Sequence, residues 1–202
     1  DIHNNTGLNP PYASVKIHNP HCIQLAGMFG TTVVYFTSPK GVQSAAFSDF
    51  CPAVVLECGQ SGQADGVSHS TRYLQAVLNS DKLPSEHPSH INLVHTVARV
   101  TVPEIFSLGT DENADIHLSY DLENMNFEQL GKGSIFAGIK FESEAHLVVT
   151  NESSEDVTSE FFEITDSKFV LKKNATLSMY TTNERAIRQD CLCYLMEQIH
   201  IG

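Results

Sequence analysis

The sequence has 202 residues, with 12 Lys+Arg against 24 Asp+Glu and a formal net charge of −12 with histidine neutral. A chain of this length holds one large domain or two small ones and buries roughly 70% of its unfolded surface without covalent staples. Its composition, 41% hydrophobic and 18% charged, is globular; the acidic balance argues against a grip on nucleic-acid phosphates, and no apolar run approaches the roughly 20 residues of a membrane span.

Taken in chain order, helix and strand signals alternate up to about residue 84. Asn19-Pro20, then Cys22, Leu25, Ala26 and Phe29, then Gly30, predicts a short capped helix with proline in its first turn. Thr31–Phe36 and Pro52–Glu57 are β-branched runs of the kind buried inside a sheet. A polar, glycine-rich loop from Gly59 to Gly66 follows. Ser68–Leu78 is predicted helical, with Tyr73, Leu74, Val77 and Leu78 on one face. This is an α/β pattern.

Residues 79–90 have linker composition, with two prolines and no apolar period. Beyond them the signals are mostly strands: Ile91–Val102, Ile116–Tyr120, Ser134–Phe141, His146–Thr150, Phe161–Ile164, Lys168–Leu171 and Thr176–Tyr180. In Glu184–Ile199 the four-residue spacing of Ile187, Cys191, Leu195 and Ile199 favours a helix, while Cys191–Leu195 fits a strand equally well. The expected organisation is an α/β region over 1–84 and a β-rich domain over 85–202.

Five cysteines (Cys22, Cys51, Cys58, Cys191, Cys193) are an odd number in a chain too large to need a disulfide framework, which points to reduced thiols in a cytoplasmic protein. Cys191 and Cys193 lack the spacing of a zinc ribbon. The loop Gly59–Gly66 lacks the Gly-Lys-Ser/Thr ending of a phosphate loop.

Two segments carry candidate chemistry. Asp1-Ile2-His3-Asn4 puts a histidine at the end of a short extended run, where it is either a surface residue or a ligand at a sheet edge. Glu57 ends the apolar run Ala53–Leu56 and is followed by Cys58-Gly59; it is either a surface residue or a cleft acid. Together, Asp1-Ile2-His3-Asn4-Asn5-Thr6 and Pro52-Ala53-Val54-Val55-Leu56-Glu57-Cys58-Gly59, with Gln60, Gln63 and Gly66 beyond, resemble the succinylglutamate desuccinylase/aspartoacylase family of zinc carboxypeptidase-like hydrolases. The motifs span about residues 1–70.

The resemblance implies part of a zinc-carboxypeptidase-like catalytic domain, a mixed sheet with helices, followed by a β-rich C-terminal domain. It implies His3 as a zinc ligand, Glu57 as general base and later general acid, and Asn4 as a contact to substrate. Such a zinc ion takes two His and one carboxylate and keeps a position for water, whose pKa it lowers. The implied activity is that of a zinc-dependent amidohydrolase, a metallopeptidase-like deacylase, on an N-acyl amino acid or a terminal peptide residue. The implied partners are that small molecule or peptide, with no nucleic acid and no membrane, and a homo-oligomer is compatible.

Two departures stand against the resemblance. The family's H-x-x-E motif, which carries the first two zinc ligands, follows none of the ten histidines; His18/His21, His87/His90 and Glu197/His200 are its nearest approximations. With Asp1 opening mid-motif, the expectation is a fragment whose remaining ligands lie upstream. Aspartoacylases also place an arginine shortly before the catalytic glutamate to grip a substrate carboxylate, whereas Arg72, Arg99, Arg185 and Arg188 all lie after Glu57, and Lys16 and Lys40 are the cations between His3 and Glu57. The rival readings are a non-catalytic β-rich binding or assembly module with a degenerate hydrolase half, a metallocarboxypeptidase proper, and a hydrolase using Cys58 as nucleophile.

Overall fold

The computed structural model describes residues 1–16, 19–83 and 90–199. Contacts divide the chain into two compact units, one of Asp1–Asn5, Pro10–Thr96 and Glu197–Gly202, the other of Thr6–Asn9 with Val97–Met196.

The first unit contains β1 (Ile2–Asn5), β2 (Tyr12–Val15), α1 (Pro20–Gly27), β3 (Thr32–Tyr35), α2 (Gln43–Phe47), β4 (Val55–Gln60), α3 (Ala64–Leu78) and the first half of β5 (Asn92–Thr101). Its strands form a mixed sheet in the order β1-β4-β2-β3-β5, parallel except between β4 and β2. As the sequence implies, Asn19 caps α1, its side chain accepting from the His21 N–H at 2.8 Å, and Pro20 takes a first-turn position that needs no donor. Val33 and Leu56 meet Ile23, Phe29 and Tyr73 in one apolar cluster, against which the inner faces of the helices pack. Fully burying a side chain of this kind contributes about 1.5–3 kcal/mol.

Helix α3 departs from the sequence reading in two ways. It begins at Ala64, inside the stretch expected to be loop, with Asp65 in its first turn, where a carboxylate suits the helix dipole. Gly66 permits this early start: a Cβ there would lie 2.4 Å from the Cys58 carbonyl oxygen, so only glycine lets the helix approach β4 so closely. The second difference concerns its faces. Ser70 and Tyr73 are buried, whereas Leu74 and Leu78, expected on the same face, are exposed.

The second unit holds the second half of β5, β6 (Leu108–Gly109), β7 (Ile116–Leu118), a 3-10 helix (Tyr120–Met125), β8 (Gln129–Leu130), β9 (Ile135–Ile139), β10 (Val148–Asn151), α4 (Thr158–Phe161), β11 (Phe162–Thr165), β12 (Lys168–Leu171), β13 (Ala175–Ser178), α5 (Glu184–Gln189) and most of β14 (Cys193–Ile199). Five strands form a sheet in the order β11-β12-β9-β7-β6. Asp166 and Ser167, both at positive φ, make the two-residue turn joining β11 to β12, a geometry that matches strand twist. Phe136 is fully buried, its ring 4.8 Å from Phe162 and 5.8 Å from Tyr180. The ambiguous segment 184–199 resolves into both alternatives. Asn183 caps α5, accepting from Ala186 N–H at 3.2 Å, and β14 follows.

Candidate active site

The sheet brings the two sequence motifs together. In the parallel β1–β4 ladder Ile2 pairs with Leu56 and His3 with Glu57; on its other side, Glu57 pairs with Tyr12 of antiparallel β2. Cross-strand partners project from the same face, so His3, Glu57 and Tyr12 share one side of the sheet and Ile2, Leu56 and Ala13 the other.

The register then shifts. Asn5 pairs with Gln60, leaving one extra residue on β4. Gly59, at φ +91°, makes this bulge, in a conformation that a side chain would strain. Asn5, two positions after His3, therefore faces Glu57. It is buried, with its side-chain amide beside the Glu57 carboxylate.

Glu57 sits largely out of water. Burial raises its pKa above the ordinary carboxylate value, and the charge of His3 and the nearby Asn5 amide partly offset that rise. Its Oε2 is buried and has no hydrogen-bond partner among the described residues. A buried carboxylate oxygen without a donor is uncommon, because each such atom forgoes its hydration. His3 is half exposed, and its Nε2 lies 3.1 Å from Asp1 Oδ1.

Asn4, the candidate substrate contact, points the other way from Asn5. It is exposed and lines a groove of about 700 Å³ with Ile2, His3, Gln60, Gln63 and Leu74. Asn5 is the residue that sequence reasoning missed, although strict alternation along β1 puts it, and not Asn4, on the face of His3. Cys58 is buried on the opposite face from Glu57, its Sγ 2.8 Å from Ser70 Oγ, and no histidine contacts it among the described residues. Of the arginines, Arg99 binds Asp190, and Arg188 donates to the backbone carbonyls of Pro103 and Phe106. Tyr180 is fully buried and Tyr120 exposed.

Whether these residues hold zinc by themselves can be tested on the donor set. A zinc centre of this kind requires three protein ligands. Among the described residues no group of three His, Cys, Asp or Glu side chains converges to hold a metal. Of the nearest approximations to the H-x-x-E motif, His18, His87 and His200 lie outside the described residues. The described residues therefore do not form a zinc centre on their own. Among them no helix is long and apolar enough to cross a membrane.

No protein-family model matches the chain, and no curated protein matches it by sequence. Solved structures do match. Succinylglutamate desuccinylase from Chromobacterium violaceum aligns with a TM-score of 0.55 at 15% identity, over 100% of this chain and 54% of that one. The succinylglutamate desuccinylase/aspartoacylase from Rhodobacter sphaeroides aligns with a TM-score of 0.55 at 13% identity, over 100% and 58%. Murine aminoacylase 3 aligns with a TM-score of 0.54 at 14% identity, over 100% and 62%. This chain thus spans a little over half the length of these neighbours. Its mixed α/β fold is similar to that of succinylglutamate desuccinylase/aspartoacylase structures, the family to which the two short sequence motifs point.

Proposed function

We propose that the chain forms part of an amide hydrolase for N-acyl amino acids, in which Glu57 moves the proton. The observation that carries this reading is the Glu57 carboxylate, paired in register with His3 and holding a buried Oε2 that no described residue engages. The fold shared with acyl-amino-acid deacylases supports it.

Glu57 takes a proton from a water molecule placed against the scissile carbonyl, and the water oxygen bonds to the carbonyl carbon. As the carbon–nitrogen bond breaks, the same proton passes from Glu57 to the leaving amine. Burial suits Glu57 to both halves of the cycle, because it strengthens proton affinity in the first and leaves a competent acid for the second. The Asn5 amide beside the carboxylate favours its ionised form, and Oε2 is the oxygen available to water. In this reading His3 is one ligand of a zinc ion whose other ligands lie outside the described residues, and Asn4 contacts substrate from the neighbouring groove.

A non-catalytic module is the second reading, favoured by one observation, the absence of a complete metal-ligand group among the described residues. One assay separates the two. The full-length gene product, incubated with a panel of N-acyl amino acids including N-succinylglutamate and with dipeptides, is expected to release free amine from at least one acyl amino acid. Glu57→Gln should lower that rate by roughly several orders of magnitude, since the amide cannot take a proton. Release from dipeptides alone would favour a carboxypeptidase, and near-wild-type turnover by Glu57→Gln would end the catalytic assignment.

A further inference from the structure

The second unit carries a histidine that the proposed chemistry does not use. Alternation along β7 turns Ile116 and Leu118 into the core and His117 to the opposite face of the sheet. On that face both register partners of His117 are glycines, Gly109 on parallel β6 and Gly138 on antiparallel β9. No side chain therefore stands abreast of the imidazole on either neighbouring strand. The ring lies across Gly138 so closely that a Cβ there would stand 2.8 Å from its Nδ1. Its Nε2 is buried and has no hydrogen-bond partner among the described residues. A buried ring nitrogen in that state is uncommon, and it leaves one hydrogen-bonding group of this face unused.

His117 lines an open hollow of about 640 Å³ together with Thr110, Tyr120, Asp121, Ile135 and Gly138. Tyr120 and Ile135 are 64% and 54% exposed, so the hollow presents an aromatic ring and an aliphatic chain to solvent. Thr110 Oγ1 donates to the Tyr120 hydroxyl at 3.4 Å, a long bond that ties the ring to the end of β6. Asp121 is exposed, and its carboxylate makes no ion pair among the described residues. Among those residues no lysine or arginine lines the hollow; Lys168, the register partner of Gly138 on β12, is not one of its walls.

These groups select a ligand by charge and by shape. An anion meets the Asp121 carboxylate and the field of a chain with net charge −12, whereas a cation is drawn by both. A neutral imidazole offers one accepting nitrogen, so a ligand rich in donors suits it as well. A guanidinium combines these properties: it is planar, lies flat on an aromatic ring and directs N–H groups at a carboxylate from its edge. A compact ammonium has no flat face to lay on Tyr120. We propose that the hollow is a guanidinium-binding site, in which Tyr120 stacks on the group, and Asp121 and His117 accept from its edge. The guanidinium is borne by a small molecule or by an arginine side chain of a peptide. The site is separate from the role of Glu57, because all of its residues belong to the second unit and none takes part in proton transfer.

Histidine-ring NMR of the full-length gene product tests it, with the His117 signal assigned by its loss in His117→Gln. Butylguanidinium is titrated into the millimolar range beside butylurea, its uncharged counterpart of the same shape. Neither probe carries an acyl-amino group, so hydrolysis does not enter the readout. Butylguanidinium is expected to shift the His117 signal saturably and butylurea to leave it in place. Asp121→Asn and Tyr120→Leu should each weaken binding, the first by about tenfold, while the other histidine signals report that each variant is folded. The amidated tripeptide Ala-Arg-Ala separates the two sources. Affinity equal to that of butylguanidinium assigns the site to the group itself, and tighter binding assigns it to arginine within a peptide. An unmoved His117 signal, equal binding of butylurea, or full affinity in both variants would overturn the proposal.

Discussion

His3 and Glu57 are register partners across the parallel β1–β4 ladder, so a half-exposed imidazole stands beside a largely buried carboxylate on one face of the sheet. Their attraction favours the ionised carboxylate, while burial favours the protonated one, and burial is the larger effect. The pair therefore holds a proton-binding group at a position where the fold gains nothing from ionising it.

That balance makes stability pH-dependent. The folded state binds the Glu57 proton more tightly than the unfolded chain does, so this residue's contribution falls as pH rises from its ordinary value near 4.5 through its raised value. Above that window the cost is fully present; below it, the cost is absent. Glu57→Gln is therefore expected to raise Tm at pH 7, on the order of 2 °C, and the gain should shrink toward pH 4. Calorimetry of the two proteins across that range checks it, and a gain independent of pH would disconnect it from ionisation.

Asn5 gives a second pH-dependent expectation. Its side-chain amide lowers the proton affinity of Glu57. Asn5→Ala removes that amide, so the acidic limb of the kcat/KM profile should move to higher pH, with the plateau reached later. A loss that is uniform across pH would assign Asn5 a purely structural role.

Metal content is the third expectation. The 202-residue chain, dialysed against micromolar zinc and analysed by atomic emission, should hold well under one equivalent, because a single imidazole with a neighbouring carboxylate makes a weak site. His3→Ala should remove most of what does bind. A tight one-to-one complex would mean that ligands exist among the remaining histidines.

One backbone position, one core ring and one exposed ring calibrate stability. Gly59→Ala forces a side chain into the left-handed region and should destabilise by about 1–2 kcal/mol. Phe136→Ala in the second unit opens a cavity beside Phe162 and Tyr180 and should cost about 3–5 kcal/mol. Phe50→Ser, at a 73% exposed position, should stay within about 0.5 kcal/mol of wild type. Urea titrations followed by far-ultraviolet circular dichroism measure all three.

Several of these features are legible in the sequence, and the limits have physical causes. The capped helix at Asn19-Pro20 and the strands around Val33, Val94 and Phe169 follow from local signals that packing reinforces. The sequence places Leu74 and Leu78 inward with Tyr73 and Val77, whereas both are exposed, because periodicity marks which face is apolar and not which part of it packs. The 3-10 helix Tyr120–Met125 has no apolar period to announce it. In Glu184–Ile199 the helix and strand periods overlap, and the chain uses them in succession. At the site, the resemblance directed attention to Asn4, while alternation along β1 turns Asn5 toward Glu57. The bulge that carries Asn5 opposite Gln60 depends on the φ of one glycine, which no pattern of apolar residues records.

The bulge at Gly59 constrains the length of β4 more tightly than its composition. A strand reverses the facing of its side chains with every residue added or lost. Removing one residue between Glu57 and Ala64 would leave the Glu57–His3 partnership in place while turning Gln60 and the start of α3 toward the opposite side of the sheet. Apart from Gly59, whose positive φ a side chain would strain, substitutions in this stretch are absorbed locally; insertions and deletions are not. In related sequences the spacing from Glu57 to α3 should therefore stay fixed while the residues that fill it, Gly59 apart, drift.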